Sequence, residues 1–108
     1  MSIKLALLKS GETIISDIKE LLEEEKLCGY VFHKPHKILT EKTILLTEEK
    51  DYDSKLQVSL APWIILTDED TILVSPDWVI TIVDPIISVK NLYEEKINEN
   101  YQVPFTES

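Results

Sequence analysis

Trp78-Val79-Ile80-Thr81-Ile82-Val83 and Ala61-Pro62-Trp63-Ile64-Ile65-Leu66 decide how this chain folds. Both stretches are β-branched or aromatic, and both are apolar on odd and even positions alike. A strand in a small half-buried sheet should alternate apolar and polar, because successive side chains point to opposite faces. Here Trp78, Ile80 and Ile82 would point one way, with Val79, Thr81 and Val83 the other. Likewise Val58, Leu60, Ile64 and Leu66 would share a face, opposite Ala61, Trp63 and Ile65. A lone domain of 108 residues can bury only one of those faces. The other needs a cover, either a helix or a second subunit.

Outward from these stretches the chain reads as strands followed by one helix. Residues 3–9 place Ile3, Leu5 and Leu7 on one face and Ala6 and Leu8 on the other. Lys9-Ser10-Gly11-Glu12 is a turn in which Gly11 is free to take positive φ. Residues 13–19 return as the second arm of a hairpin, with Ile14, Ser16 and Ile18 on one face. The glutamate-rich stretch 20–29 is expected to be a solvated acidic loop. A third strand spans 30–39, and Pro35 within it implies an edge or a bulge, because proline removes a ladder donor. Residues 41–55 are read as a long charged connection that pairs only briefly. The fourth strand covers 57–66, and the fifth covers 71–83 with a bend at Ser75-Pro76-Asp77. Asp84-Pro85 opens a helix over 86–98, in which Val89, Leu92, Tyr93, Lys96 and Ile97 recur at helical spacing. The expected fold is mainly β: a small, strongly bent five-stranded barrel with a C-terminal helix. It is one domain over 1–98 with a polar tail at 99–108.

Composition narrows the function. There are 20 acidic residues against 11 basic ones, giving a net charge of −9. All the basic residues are lysine. A single cysteine, Cys28, excludes an internal disulfide and fits a reducing, cytoplasmic compartment. Cys28 itself is expected to be a small buried hydrophobe. Neither a signal peptide nor a membrane span is expected. No carboxylate, serine or cysteine stands in a catalytic constellation, and no phosphate loop or dinucleotide fingerprint occurs. We therefore expect no enzyme, no cofactor and no metal. Cys28, His33 and His36 do not make a metal site, since residues 33 and 36 of a regular strand face opposite sides.

The order of elements resembles the Sm-like family, which includes bacterial Hfq. Leu5, Leu7, Gly11, Ile14 and Ile18 echo its first motif. Ile72-Leu73-Val74-Ser75-Pro76-Asp77-Trp78-Val79-Ile80-Thr81-Ile82-Val83 echoes its second. Acidic Sm-like proteins of phage with an added C-terminal helix are the nearest pattern, which would place the chain in a host cytoplasm. The resemblance implies a bent five-stranded sheet, a homo-oligomeric ring of about five to seven protomers and RNA binding. In that family the last strand pairs with the fourth strand of the neighbouring subunit. Trp63, Ile65, Trp78, Ile80 and Ile82 are the corresponding interface candidates. The chain departs from the family at its RNA-reading positions, carrying glutamates within 20–29 and Ser75-Pro76-Asp77 in place of cationic and stacking groups.

Two partners follow from these features. The sole basic patch is His33-Lys34-Pro35-His36-Lys37, beside Tyr30 and Phe32. Aromatics next to lysines suit single-stranded RNA, so Tyr30, Phe32, His33, Lys34, His36 and Lys37 are the RNA-contact candidates. Against this stands the charge: RNA affinity rests on phosphate neutralisation, and a ring multiplies the repulsion of an acidic protomer. The second reading is a structural or protein-interaction ring without nucleic-acid affinity, offering acidic faces to a basic protein.

Overall fold

A computed structural model describes residues 2–45 and 53–102. Within them the chain is mainly β, an antiparallel sheet followed by one C-terminal helix. The strands are β1 (Ile3–Leu8), β2 (Thr13–Glu23), β3 (Lys26–Leu45), β4 (Asp53–Pro62), β5 (Thr71–Val74) and β6 (Val79–Val83). A 3-10 turn, Pro76–Trp78, separates the last two strands, and the helix α1 spans Ile87–Gln102. The order across the sheet is β4-β3-β2-β1-β6, with β5 paired to β3. The sheet stays open at β4 and β6 and does not close into a barrel.

Alternation along the strands builds two cores. Ala6, Leu8, Ile14, Ile18, Phe32 and Val74 bury one face, with Tyr30, Trp63, Ile72, Val79 and Ile82 against them. Ile3, Ile15 and Leu60 bury the opposite face, where Tyr93 of α1 covers them with Val89, Leu92 and Ile97. The helix is thus the cover for one face. The first hairpin is the one expected: Gly11 sits in its turn at φ 92°, and its N–H donates to Leu8 O at 2.9 Å.

The strand β3 is long because it serves three partners. Its first half pairs with β2 and β5, and its second half pairs with β4. Pro35 marks the change. Between the pairs Ile15↔His36 and Asp17↔His33, β3 spends one more residue than β2. This is a bulge, as the proline implied, with Lys34 at φ 51°. Two other expectations change here. Residues 41–55 do not form a loose connection throughout: β3 runs to Leu45 and β4 starts at Asp53, in register Leu45↔Asp53, while 46–52 lie outside the described residues. The helix begins one residue later than expected and runs on to Gln102; the rest of the expected tail also lies outside.

The acidic stretch 20–29 is a hairpin rather than a loop. Glu23 pairs with Lys26 across a two-residue turn of Glu24 and Glu25, both at positive φ, 52° and 65°. That turn matches the twist of the flanking strands, and its usual signal is Asn-Gly. Glutamates give no such signal, and each pays about 1 kcal/mol for the left-handed conformation. Replacing both, Glu24→Asn with Glu25→Gly, should therefore stabilise the protein by about 1–2 kcal/mol. The check is a raised urea midpoint at unchanged slope.

The fourth strand ends at Pro62, so Trp63, Ile64, Ile65 and Leu66 belong to a loop and not to a strand. The loop 63–70 interrupts one strand path along β3, because β4 and β5 pair with successive segments of it. Six strands replace the expected five because Pro76–Trp78 divides 71–83. Trp63 N–H donates to Pro35 O at 3.1 Å, and Lys34 N–H donates to Asp70 O at 2.6 Å. Both ends of the loop are therefore pinned to the β3 bulge.

Candidate functional site

The bulge at Lys34-Pro35 joins strand to helix. Ser16 Oγ donates to His33 O at 2.8 Å. Tyr93 Oη lies 3.1 Å from His33 O and 3.0 Å from Lys34 O. His36 Nδ1 lies 2.9 Å from Lys34 O, and since a carbonyl only accepts, Nδ1 carries the proton. The His36 ring meets Tyr93 edge-on, centroids 5.7 Å apart at 81°. Burial holds the Tyr93 hydroxyl up at about 12, so it remains a donor at neutral pH.

This arrangement settles where the basic patch goes. His36 is 4% exposed and Phe32 is fully buried, so neither is accessible to RNA. Tyr30 is half-buried against the core. Lys37 pairs with Glu12 at 3.5 Å. The Ser10 hydroxyl foremost, with the Trp63 indole and Lys37, holds the Glu12 carboxyl below its usual range despite some burial. His33 is exposed, its Nδ1 3.2 Å from Thr71 Oγ1. Of the six RNA-contact candidates, His33 alone is exposed, with Tyr30, Lys34 and Lys37 half-buried.

The bulge also corrects the facing of the histidines. His33 pairs with Asp17 and His36 with Ile15, positions two apart on β2, so both histidines lie on one face despite their odd spacing. Cys28 is exposed rather than buried, because it lies near the tip of the β2–β3 hairpin beyond the core. Among the described residues, no group of three or more His, Cys, Asp or Glu comes together to hold a metal ion.

His36 Nε2 is buried without a hydrogen-bond partner. Burial first, and then the charges of Lys96 and Lys34, push the His36 pKa below 6.5; the bond to Lys34 O opposes them. The folded state thus binds this proton less readily than the unfolded chain. Stability is fully present above about pH 6.5 and is lost as pH falls through the lower folded value. We expect the denaturation midpoint to drop between about pH 7.5 and about pH 5.5, and a His36→Phe variant to lose most of that drop.

The interface candidates divide in the same way. Trp63 packs on Phe32 with centroids 6.1 Å apart, and Ile82 packs against the same core, so both face inward. Ile65, Trp78 and Ile80 are exposed. A register shift against β1, where Leu7↔Thr81 is followed by Leu8↔Val79, breaks the expected alternation of β6. Val79 and Ile82 therefore turn inward while Ile80 and Val83 turn out. Leu73 of β5, Ile86 and Ile87 are exposed as well, and the alternation argument did not single them out.

The edges complete the geometry. The strand β6 pairs only with β1, and β4 and β5 pair only with β3, so each presents an unpaired edge among the described residues; on β4 the exposed positions within 57–62 are Gln57, Ser59 and Pro62. A cleft of about 430 Å³ opens beside β6, lined by Lys4, Ile18, Glu20, Tyr30 and residues 79–82. Free strand edges flanked by exposed isoleucine, leucine and valine are templates for pairing with another chain.

A family model, described as a family of unknown function (DUF6561), matches residues 1–98. The chain belongs to the DUF6561 family. No curated protein matches it. The DUF6561 match covers every strand, the 3-10 turn and most of α1, so the free edges of β5 and β6 and the Tyr93 contact lie within it. No helix among the described residues is long and apolar enough to cross a membrane.

Proposed function

We propose that this protein is a self-assembling module of Sm-like architecture, whose copies join head to tail through β5 and β6 into a ring. Its acidic surface serves a basic protein partner rather than RNA. The observation that carries the reading is that two of the unpaired strand edges, those of β5 and β6, bear exposed apolar side chains: Leu73 on β5, Ile80 and Val83 on β6. An edge that differs from its mate makes a heterologous contact, and such contacts close into rings when the rotation permits. The order β4-β3-β2-β1-β6 and the 3-10 turn before the last strand support the Sm-like reading.

The preference for protein over RNA rests on the patch at 33–37. Phe32 and His36 are withdrawn into the cores, Lys37 is paired, and the protomer carries −9. Phosphate neutralisation needs cations that this surface does not supply. The test is titration of the assembled protein against single-stranded RNA at low salt, where we expect no complex. A complex that weakens with rising salt and disappears in a Lys34→Glu, Lys37→Glu variant would replace this reading with the RNA-binding one.

A further inference from the structure

We infer that the loop 63–70 is a clasp between copies: Ile65 and Leu66 of one copy dock on Ile86 and Ile87 of the next. This rests on the self-assembly reading above and adds to it a contact outside the strands. Leu66 is 93% exposed and Ile65 is 73% exposed, yet the loop that carries them is held at both ends by backbone hydrogen bonds to the β3 bulge. Ile86 and Ile87 are 69% and 75% exposed, between β6 and the first turn of α1. Isoleucine and leucine left in water forgo the burial of apolar surface that drives association. Two such pairs on one small domain mark contact surface.

Strand direction brings the two pairs together. Ile65 and Leu66 lie just before β5, and Ile86 and Ile87 lie just after β6. When β5 adds antiparallel to a neighbouring β6, Thr71 comes beside Val83. The loop before β5 then reaches the segment after β6. Parallel addition would instead carry the loop toward Pro76–Trp78.

Charge selects between the two directions. Asp68, Glu69 and Asp70 follow the apolar pair and form no ion pair among the described residues. In the antiparallel arrangement Asp70 comes beside Asp84, whose charge Lys4 already pairs, and the acidic run approaches Lys90, which is exposed one turn beyond Ile86 and forms no ion pair among the described residues. In the parallel arrangement they approach Asp77, a like charge. The occupant of the clasp surface is therefore a second copy of this chain, seated antiparallel.

The experiment uses the full chain with Leu66→Glu and Ile87→Glu made separately. Both positions are exposed, so each variant should keep the wild-type circular dichroism spectrum and denaturation midpoint. Each should lose the assembled mass and run as a monomer. Mixed in equal amounts at high concentration, the two variants should form a one-to-one dimer that grows no further, since one intact loop meets one intact isoleucine pair. Variants that keep the wild-type mass would overturn the clasp. If Ile80→Asp still abolishes assembly in that case, strand-edge association survives without it. Two monomeric variants that fail to dimerise on mixing would also overturn the clasp, and a monomeric wild type would overturn both the clasp and the assembly.

Discussion

Replacing Tyr93 with alanine should destabilise the protein by roughly 3–5 kcal/mol. Tyr93 is among the largest fully buried side chains and is the residue through which α1 reaches the β3 bulge. Its loss leaves a cavity among Ile3, Ile15 and Leu60 and frees the helix that covers them. Against a total stability of about 5–15 kcal/mol, that is a large share. The melting temperature should fall by more than about 10 °C, and amide protons of α1 should exchange faster. Tyr93→Phe separates packing from hydrogen bonding. His33 O retains Ser16 Oγ, and Lys34 O retains His36 Nδ1, so neither carbonyl is orphaned. The phenylalanine variant should lose only about 1 kcal/mol. A larger loss would mean that the hydroxyl, not the ring, holds the helix.

The second large effect concerns assembly rather than folding. Ile80→Asp on β6 and Leu73→Asp on β5 place a carboxylate on each of these two edges, at positions already exposed. Surface changes of this kind usually alter stability by no more than about 0.5 kcal/mol. Burying an unpaired carboxylate between copies costs far more, because the charge gives up its water. Both variants should remain folded at the wild-type midpoint and lose the oligomer. Ile82→Asp is the contrast. Ile82 packs against the core formed by Ala6, Leu8 and Phe32, so the same change there should unfold the protein.

Much of the fold was legible in the residues. The 3–9 and 13–19 hairpin follows from alternation and Gly11, and the break in β3 follows from Pro35. The bend at Ser75-Pro76-Asp77 and the helix after Pro85 follow from proline chemistry. What failed to show were features set by tertiary pairing. The Glu24-Glu25 turn uses positive φ without the residues that usually signal it. The bulges at Lys34-Pro35 and at Ile80 reverse which residues share a face. That reversal put His33 and His36 on one side and turned Ile82 inward. Trp63-Ile64-Ile65-Leu66 reads as strand by composition, yet the turn after Pro62 makes it a displayed loop. The excess of apolar residues was visible in the sequence. Which of them stay exposed depended on where α1 docks, and Tyr93 reveals that only through its contacts with the bulge.

Self-assembly through the free edges of β5 and β6 is read out by light scattering on a size-exclusion column, with absorbance at 260 and 280 nm across the peak. The protein should run as a single species of several protomers with the spectrum of protein alone. A species of 12.4 kDa would contradict self-assembly.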